Sequence, residues 1–498
     1  MDGVIAGAPR TERVRALALV ALLLFAVIVW LGYRIAQGIL IYPDELLTAE
    51  RSREMLLLGR DTVHLNFQPS FAKPPLQYWL TTLTLPRLAN ASVAVRVWPL
   101  LYGVLTAIAV GWLASLVQPG RPWFGAAALA IYSSCPLFLI EASRALLDTG
   151  LTFFTTLAIA LAQLAKRKPP WWLGVALACW LGTLQKIPLP LLVWAIIVVT
   201  RFCNCEDRQS LRTGWLIGSA LLALLLVAAW PVYQYLHYGM PLARAFVADE
   251  PSQLFSSRNL GGRPYFEVLD GLLLSGWATG SLALAAAIAL LFKWNTNPRM
   301  REIAIVALAI MALAVLFNFR SVRYIVPIIP CLSLALAFCL ERLSEMFSWR
   351  WPRVLVALIV AAGFVQTMIK THHRPRDPLG EKRAAEVLGT RQRENTTTIV
   401  IRPPRGKHDF QIAAFYLFYG RLRFPVTRVT VQQLAERAPP RPVLGVCLVR
   451  EFGSIRQIYP DAQIVFTADD ACCWETGMTA TVTKGRTAIA LCAVPVPL

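Results

Sequence analysis

Apolar runs long enough to cross a lipid bilayer recur along most of this chain. A hydrocarbon core about 30 Å thick requires roughly 18 to 25 apolar residues in a helix, and such runs repeat up to about residue 370. The 498 residues are 56% hydrophobic and only 16% charged, and they include 16 Trp. Because one soluble core of this size holds less apolar surface, the sequence predicts an all-α polytopic membrane protein.

Hydropathy predicts eleven individual spans. The first run ends in Tyr33 and Arg34 without a small-residue cleavage site, so we interpret it as a retained span rather than a signal peptide. The apolar piece 75–89 contains Pro86 and Arg87 and is too short to cross upright, which favours an interfacial helix. The predicted spans are about 13–32, 95–117, 122–140, 149–166, 171–187, 189–203, 212–235, 267–292, 302–318, 323–341 and 353–370.

The interpretation of 75–89 sets the predicted orientation. With the N-terminus inside, most short basic loops face the cytoplasm, as the positive-inside rule prefers. Asp44, Asp148 and Lys186 then lie on the extracytoplasmic side. If 75–89 crossed the bilayer, everything after it would be inverted.

Residues 371–498 differ from what precedes them. Short β-branched runs at 396–401 and 443–449 alternate with a helix-like run at 410–419. We therefore predict two domains, a membrane domain at 1–370 whose first outer loop, 33–94, carries the active site, and a small extracytoplasmic α/β domain at 371–498. The basic surface of the second domain is interpreted mainly as a solvated face, with contact to anionic lipid as the alternative, and nucleic acid is not an expected partner.

Cysteines give no metal signature. Their spacings do not match a zinc knuckle. A disulfide in the C-terminal domain is plausible if that domain faces an oxidising compartment, but the sequence leaves its pairing open. The candidates are Cys447, Cys472, Cys473 and Cys492.

Asp44 and Glu45 follow the first span and begin an amphipathic stretch. We expect apolar side chains of this stretch to lie along the membrane interface, with Arg51, Arg53 and Glu54 facing water. A partly desolvated aspartate here is a candidate general base toward an acceptor hydroxyl. The alternative for Asp44, of equal weight, is a helix N-cap.

Further ionisable residues recur at predicted helix ends on the same side. Glu141, Arg144 and Asp148 stand between two spans, where charge is costly unless it is paired or used. A capping role is the alternative for Asp148. Four cations, each also explicable as a snorkelling side chain, together suit a phosphate leaving group. They are Lys73, Lys186, Arg320 and Arg323.

Several motifs in this order resemble one family, the polyprenyl-phosphate-sugar-dependent glycosyltransferases of the protein O-mannosyltransferase and lipid A aminoarabinose transferase type. The resemblance covers about 10–370 and is strongest over 42–80. The matching elements are Asp44-Glu45, the H-x-N element at His64 to Asn66, K-P-P-L-x-Y-W-L at Lys73 to Leu80, Arg96, the Arg144 to Asp148 loop, Leu184 to Lys186, and Arg323-Tyr324 followed by Pro327 and Pro330.

The resemblance implies a GT-C fold of about 11 to 13 transmembrane helices and direct, inverting transfer of a sugar from a polyprenyl phosphate. Asp44 would be the catalytic acid residue, with Glu45 and Asp148 in support, and the four cations named above would bind the lipid phosphate. The acceptor would be lipid A or lipopolysaccharide, another envelope glycan, or a protein, at a bacterial inner membrane. The motifs also give further candidate substrate-binding residues, namely His64, Tyr78, Arg144 and Tyr324.

The chain departs from the family at two places. Leu47-Thr48 replace an Arg-Tyr pair common in aminoarabinose transferases, which predicts a different sugar or acceptor. Ala72 replaces an acidic residue and so removes a metal ligand, and we predict no obligatory metal or other cofactor. The alternative function is a transporter or flippase of an anionic glycolipid, but the spans show neither the mid-membrane charges nor the internal repeat that it would require.

Overall fold

The structure is a computed structural model. It describes residues 10–71, 73–186, 189–204, 208–211, 214–239, 277, 279–292, 297–316, 322–347, 351–372, 378–401, 409–468 and 471–477. The chain divides into two compact units. The membrane unit comprises Met1–Gln37, Phe71–Gln77 and Arg96–Pro375, and the C-terminal unit comprises Gly38–Ser70, Tyr78–Val95 and Arg376–Leu498.

Helices are the only regular secondary structure in the described residues of the membrane unit. Short 3₁₀ segments at Arg208–Leu211 and Val322–Ile328 join some of its helices. The helices are α1 (Arg10–Ala36), α4 (Ala91–Val117), α5 (Pro122–Ser133), α6 (Pro136–Ala142), α7 (Asp148–Ala165), α8 (Trp171–Gln185), α9 (Leu189–Cys203), α10 (Gly214–Tyr238), α11 (Gly280–Ala289), α12 (Pro298–Leu316), α13 (Ile329–Phe347) and α14 (Trp351–His372).

Six of the described helical stretches are long and apolar enough to cross a membrane. They correspond to predicted spans and confirm an integral membrane protein. The predicted span 122–140 is instead two helices, α5 and α6, which meet at 65°. Pro136 starts α6 and has no N–H to continue the hydrogen bonds of α5, which explains the break. The predicted span 267–292 is described chiefly by α11, since 240–276 lie outside the described residues.

The piece 75–89 forms one short helix, α3 (Leu76–Thr84). Nine residues rise only about 14 Å, less than half of a hydrocarbon core. The helix ends at Thr84, before Pro86. A single upright crossing by this helix is therefore excluded.

Small residues let the helices of the membrane unit approach closely. A Cβ added at Gly182 of α8 would lie 2.6 Å from the Pro190 ring and 3.0 Å from the Phe154 side chain. Glycine is thus required where α8 contacts α7 and α9. Close backbone approach of this kind is the usual basis of helix packing in membranes.

A buried ionic cluster joins α7, α9 and α12. Arg201 is fully buried and binds Glu302 through two bonds, Nε to Oε2 at 2.9 Å and Nη2 to Oε1 at 2.8 Å. Lys166 contacts Glu302 Oε2 at 3.0 Å, and Gln163 donates to Oε1 at 2.8 Å. One carboxylate thus serves two cations, so the cluster depends on Glu302.

Replacing Glu302→Gln should destabilise the membrane unit by about 3–5 kcal/mol, because it leaves Arg201 buried without a counter-charge. Thermal unfolding of the detergent-solubilised chain measures the loss. The control is Glu345→Gln, whose partners Arg121 and Arg342 are both exposed side chains, and this change should cost less than about 1 kcal/mol. Equal melting temperatures for the two variants would contradict a structural role for the cluster.

The C-terminal unit contains a five-stranded mixed sheet flanked by helices, which confirms the predicted α/β character. The strands are β3 (Thr397–Ile401), β4 (Val426–Val429), β5 (Val443–Leu448), β6 (Gln463–Ala468) and β7 (Ala471–Thr476). Their order in the sheet is β4-β3-β5-β7-β6; β3 pairs in parallel with β4 and β5, and β7 pairs antiparallel with β5 and β6. The helices are α15 (Leu379–Arg391), α16 (Asp409–Gly420), α17 (Val431–Glu436) and α18 (Phe452–Ile458).

Much of the first outer loop folds with these C-terminal residues. The helix α2 (Pro43–Leu58) packs against α16, and the Leu40 N–H donates to the Tyr419 hydroxyl at 2.6 Å. A two-stranded hairpin, β1 (His64–Leu65) and β2 (Gln68–Pro69), follows α2. This grouping differs from the predicted division at 370/371, which assigned the whole of 33–94 to the membrane domain.

Candidate active site

In the membrane unit, a buried ion pair joins the start of α7 to the end of α8. Lys186 follows α8 in an extended conformation, and its Nζ lies 2.7 Å from Asp148 Oδ1. The same ammonium lies 4.5 Å from the centre of the Tyr324 ring. Asp148 is the first residue of α7, while Leu147 occupies the N-cap position. The capping alternative for Asp148 is therefore wrong, and its carboxylate instead fixes the Lys186 ammonium.

More charged groups surround this pair. Glu141 of α6 is buried, and the charges of Asp148, Arg144, Arg323 and Lys186 all act on its carboxyl group. The three cations outnumber the two carboxyl groups, so the cluster carries net positive charge. The structure thus brings together Asp148, Lys186, Arg144, Arg323 and Tyr324, five of the predicted site residues. We call these five residues and Glu141 the α7–α8 cluster.

Sequence reasoning named Glu141 but did not select it as a site residue. Its Oε2 atom is buried without a hydrogen-bond partner among the described residues. Glu141 therefore adds a buried polar group to the cluster. Its position three residues before Arg144 in a charged inter-helix segment was the available signal. Arg320, another predicted cation, lies outside the described residues.

A pair of buried glutamines connects the K-P-P motif to this region. Gln185 donates to Gln77 Oε1 at 3.1 Å and to the Leu147 carbonyl at 3.2 Å. Gln77 belongs to the same short segment as Lys73, which is half-buried. Neither glutamine was predicted, because their pairing joins residues 108 positions apart.

In the C-terminal unit, Asp44 and Glu45 lie in the first turn of α2. Tyr42 is the N-cap residue and Pro43 the first helical residue, so the N-cap alternative for Asp44 is wrong. Asp44 is half-buried and Glu45 is fully buried. Carboxylates in a first turn are favoured by the helix dipole.

The remainder of α2 corrects the predicted amphipathic helix. Arg51, Arg53 and Glu54, expected to face water, are all buried. Glu50 accepts two bonds from Arg53, Nε to Oε2 at 2.7 Å and Nη2 to Oε1 at 2.6 Å. The prediction failed because periodicity within α2 carries no information about α16, which covers this helix from more than 350 residues away.

The hairpin after α2 holds two side chains from the H-x-N motif. Asn66 and Phe67 both have positive φ values, 56° and 60°, which are strained for a bulky residue such as Phe67. The Phe67 N–H donates to Glu54 Oε2 at 2.8 Å. The Asn66 amide bonds Val426 twice, donating to its carbonyl at 3.0 Å and accepting from its N–H at 2.8 Å. These contacts offset the strain and attach the hairpin to β4.

The two remaining predicted binding residues lie within the same unit. His64 is half-buried, and burial lowers its pKa. Tyr78 is buried, and its hydroxyl accepts a bond from Arg51 Nη1 at 2.9 Å beneath the guanidinium group. The contacts of Tyr78 therefore hold α2 in place. Within the described ranges, no group of three or more His, Cys, Asp and Glu side chains could hold a metal ion.

Glu54 makes a pH dependence of stability testable. Burial, followed by repulsion from Glu50, raises the pKa of Glu54 to about 8, whereas an unfolded glutamate titrates near 4.3. Between these values the folded state keeps a proton that the unfolded state has lost. Stability should therefore fall as pH rises through this window, by at most about 1.4 kcal/mol per pH unit, and level off above it.

Melting temperatures of the wild type and Glu54→Gln, measured from about pH 5 to pH 9, check this. The variant cannot ionise, so it should gain stability relative to the wild type as the pH rises. Glu386→Gln, at an exposed position of α15, is the matched control and should parallel the wild type. If the melting temperature of Glu54→Gln also parallels that of the wild type across this pH range, Glu54 does not titrate as described.

Comparisons with known proteins bear on this arrangement. No family model matches the chain. The undecaprenyl phosphate-alpha-4-amino-4-deoxy-L-arabinose arabinosyl transferase 2 of Sodalis glossinidius is 34% identical over 164 residues, 32% of this chain and 30% of that protein. The corresponding transferase of Yersinia enterocolitica is 29% identical over 262 residues, 47% of this chain and 46% of that protein. The chain spans less than half the length of either relative.

The structural similarity extends over nearly the whole chain. The crystal structure of ArnT from Cupriavidus metallidurans bound to undecaprenyl phosphate matches with a TM-score of 0.71 and 16% identity, covering 92% of this chain and 97% of that chain. The chain therefore has the fold of that solved structure, as the motif resemblance implies.

Proposed function

We propose that this chain transfers a sugar from a polyprenyl-phosphate donor to an extracytoplasmic acceptor at a bacterial inner membrane. The observation that carries the proposal is the α7–α8 cluster. It places a fixed ammonium and two guanidinium groups, with net positive charge, at the ends of otherwise apolar helices. The arabinosyl transferase names of the two relatives support the same class of reaction.

The cluster suits a phosphate that becomes a leaving group. When the sugar–phosphate bond breaks, negative charge grows on the phosphate oxygens, and cations already fixed nearby stabilise it without reorganising. Asp148 holds the Lys186 ammonium at 2.7 Å, so this group is oriented before the donor arrives. We assign phosphate binding to Lys186, Arg144 and Arg323, and we extend it to Lys73 and Arg320 from the motifs.

Asp44 is proposed as the catalytic acidic residue, with its carboxylate acting as the general base. It would accept the proton of the acceptor hydroxyl as that oxygen attacks the anomeric carbon from the face opposite the phosphate, which gives inversion. Its half-buried position in the first turn of a packed helix supports this role. We assign Glu45 a supporting structural role, because it is fully buried beside Asp44.

The sugar and acceptor are proposed only by class. Leu47 and Thr48 are the fifth and sixth residues of α2, and their side chains differ in chemistry from the Arg-Tyr pair of aminoarabinose transferases. We therefore propose a sugar or acceptor other than aminoarabinose on lipid A. Mass analysis of envelope lipids, glycans and secreted proteins, with and without the gene, should show one added sugar residue that depends on the chain.

Removing the Lys186 charge should weaken phosphate binding. We expect Lys186→Met to raise the Kd for undecaprenyl phosphate at least about tenfold, since charged hydrogen bonds contribute roughly 1.5–3 kcal/mol. Binding is measured on the chain in nanodiscs. Lys168→Met, at an exposed lysine, is the control.

Because Lys186→Met also leaves Asp148 buried without its partner, the double variant Lys186→Met/Asp148→Asn is measured in parallel. It removes both charges and should restore the melting temperature but not the affinity. An affinity equal to that of the wild type in the folded double variant would remove Lys186 from phosphate binding.

Changing Asp44→Asn should lower the sugar-transfer rate by about 10²–10⁴-fold, the usual contribution of a general base. Undecaprenyl phosphate affinity and the melting temperature should remain those of the wild type, because the amide has the same shape. The rate is followed as loss of sugar-linked lipid and gain of labelled acceptor in membranes. A variant that retains more than about a tenth of the rate shows that another residue is the base.

A further inference from the structure

Two cysteines of the C-terminal unit face each other across neighbouring strands. Cys447 of β5 pairs in register with Cys472 of β7, and the two strands are antiparallel. Their sulfur atoms are 3.3 Å apart, and both residues are buried. The two thiols therefore already lie side by side within the sheet.

The backbone geometry is compatible with a covalent bond. Residues directly opposite in an antiparallel ladder have Cα atoms about 4.5–5.5 Å apart, and disulfides span about 4.4–6.8 Å between Cα atoms. Only a small movement of the two side chains is needed to close the gap between the sulfur atoms. No shift of the strands is required.

The adjacent Cys473 is excluded as a partner by the pleat of the strand. Successive side chains point to opposite faces of a sheet. Cys447 and Cys472 lie in the hydrophobic core with Trp474, whereas the Cys473 thiol donates to the Ala384 carbonyl of α15 at 3.0 Å. Among the described cysteines of this unit, the geometry thus selects one pair where the sequence left several open.

We propose that Cys447 and Cys472 form a cross-strand disulfide when the C-terminal unit folds in an oxidising compartment. The oxidant is a disulfide-donating thiol oxidoreductase. One protein thiolate attacks the disulfide of the oxidoreductase and forms a mixed disulfide with it. The second protein thiolate then attacks this mixed disulfide and displaces the oxidoreductase as a thiol. The two protein thiols lose two protons and two electrons to form one S–S bond, and the oxidant's disulfide becomes two thiols. This step is independent of sugar transfer.

The bond would constrain the chain between β5 and β7. It closes a loop across a separation of 25 residues that contains α18 and β6, which reduces the freedom of the unfolded chain. Since both sulfur atoms are buried, small reductants would reach the bond only after the sheet opens. The disulfide is therefore structural and stable in the folded protein.

The test uses the full chain isolated from the membranes of a bacterium with an oxidising periplasm. Free thiols are blocked with N-ethylmaleimide at lysis, and the denatured protein is digested and analysed by mass spectrometry without reduction. We expect peptides joined through Cys447 and Cys472, two hydrogens lighter than the separate pair, with Cys473 alkylated. Treatment with a phosphine reductant should release both peptides.

Matched serine variants distinguish the pairings. Cys473→Ser should keep the linkage, while Cys472→Ser should free Cys447 for alkylation and lower the melting temperature by roughly 5–10 °C. Alkylation of both Cys447 and Cys472 in the wild type without reductant would overturn the proposal. A linkage of Cys447 to Cys473 or Cys492 would overturn it equally.

Discussion

Charge buried in a largely apolar chain must be neutralised where it lies, and this constraint shapes both units. Isolated ions in such surroundings cost several kcal/mol. In the membrane unit, Glu302 holds Arg201 and Lys166, and Asp148 holds Lys186. In the C-terminal unit, Glu50 holds Arg53. In the membrane unit these pairs join different helices, which therefore cannot separate cheaply. The Glu50–Arg53 pair lies within α2 and neutralises the charges of that buried helix.

The Glu302 cluster and the α7–α8 cluster of the membrane unit have different roles. Glu302 is enclosed, and its partners satisfy it completely, so this cluster ties helices together. The α7–α8 cluster likewise has more cations than carboxyl groups, but its cations Lys186, Arg144 and Arg323 are half-buried rather than enclosed. Positive charge that remains accessible is the electrostatic condition that suits the binding of a phosphate dianion. Access to the charge therefore distinguishes the structural cluster from the candidate binding cluster.

Local sequence was sufficient for six of the predicted spans, for the short helix after the K-P-P motif and for the β-branched strands of the C-terminal domain. Each of these depends on the composition and spacing of neighbouring residues. Asp148 and Lys186 each stand at the end of an apolar run on the same predicted side, and the structure pairs them.

Contacts between distant residues were not readable from local patterns. The burial of Arg51 and Arg53 depends on α16, and the break between α5 and α6 depends on Pro136 within an otherwise continuous apolar run. The Gln77–Gln185 bond likewise has no local signal. Hydropathy indicates whether a segment is suited to water or to an apolar environment, but it does not identify the segment that packs against it.

The amide of Asn66 has one further consequence. By bonding both the N–H and the carbonyl of Val426, it takes the place that a peptide group of a sixth strand would occupy beside β4, at the outer edge of the sheet. Unprotected edges recruit strands from other molecules and lead to aggregation. One side chain from the hairpin after α2 thus blocks the addition of a strand at this position. The H-x-N motif therefore also protects the β4 edge of the sheet from pairing with strands of other molecules.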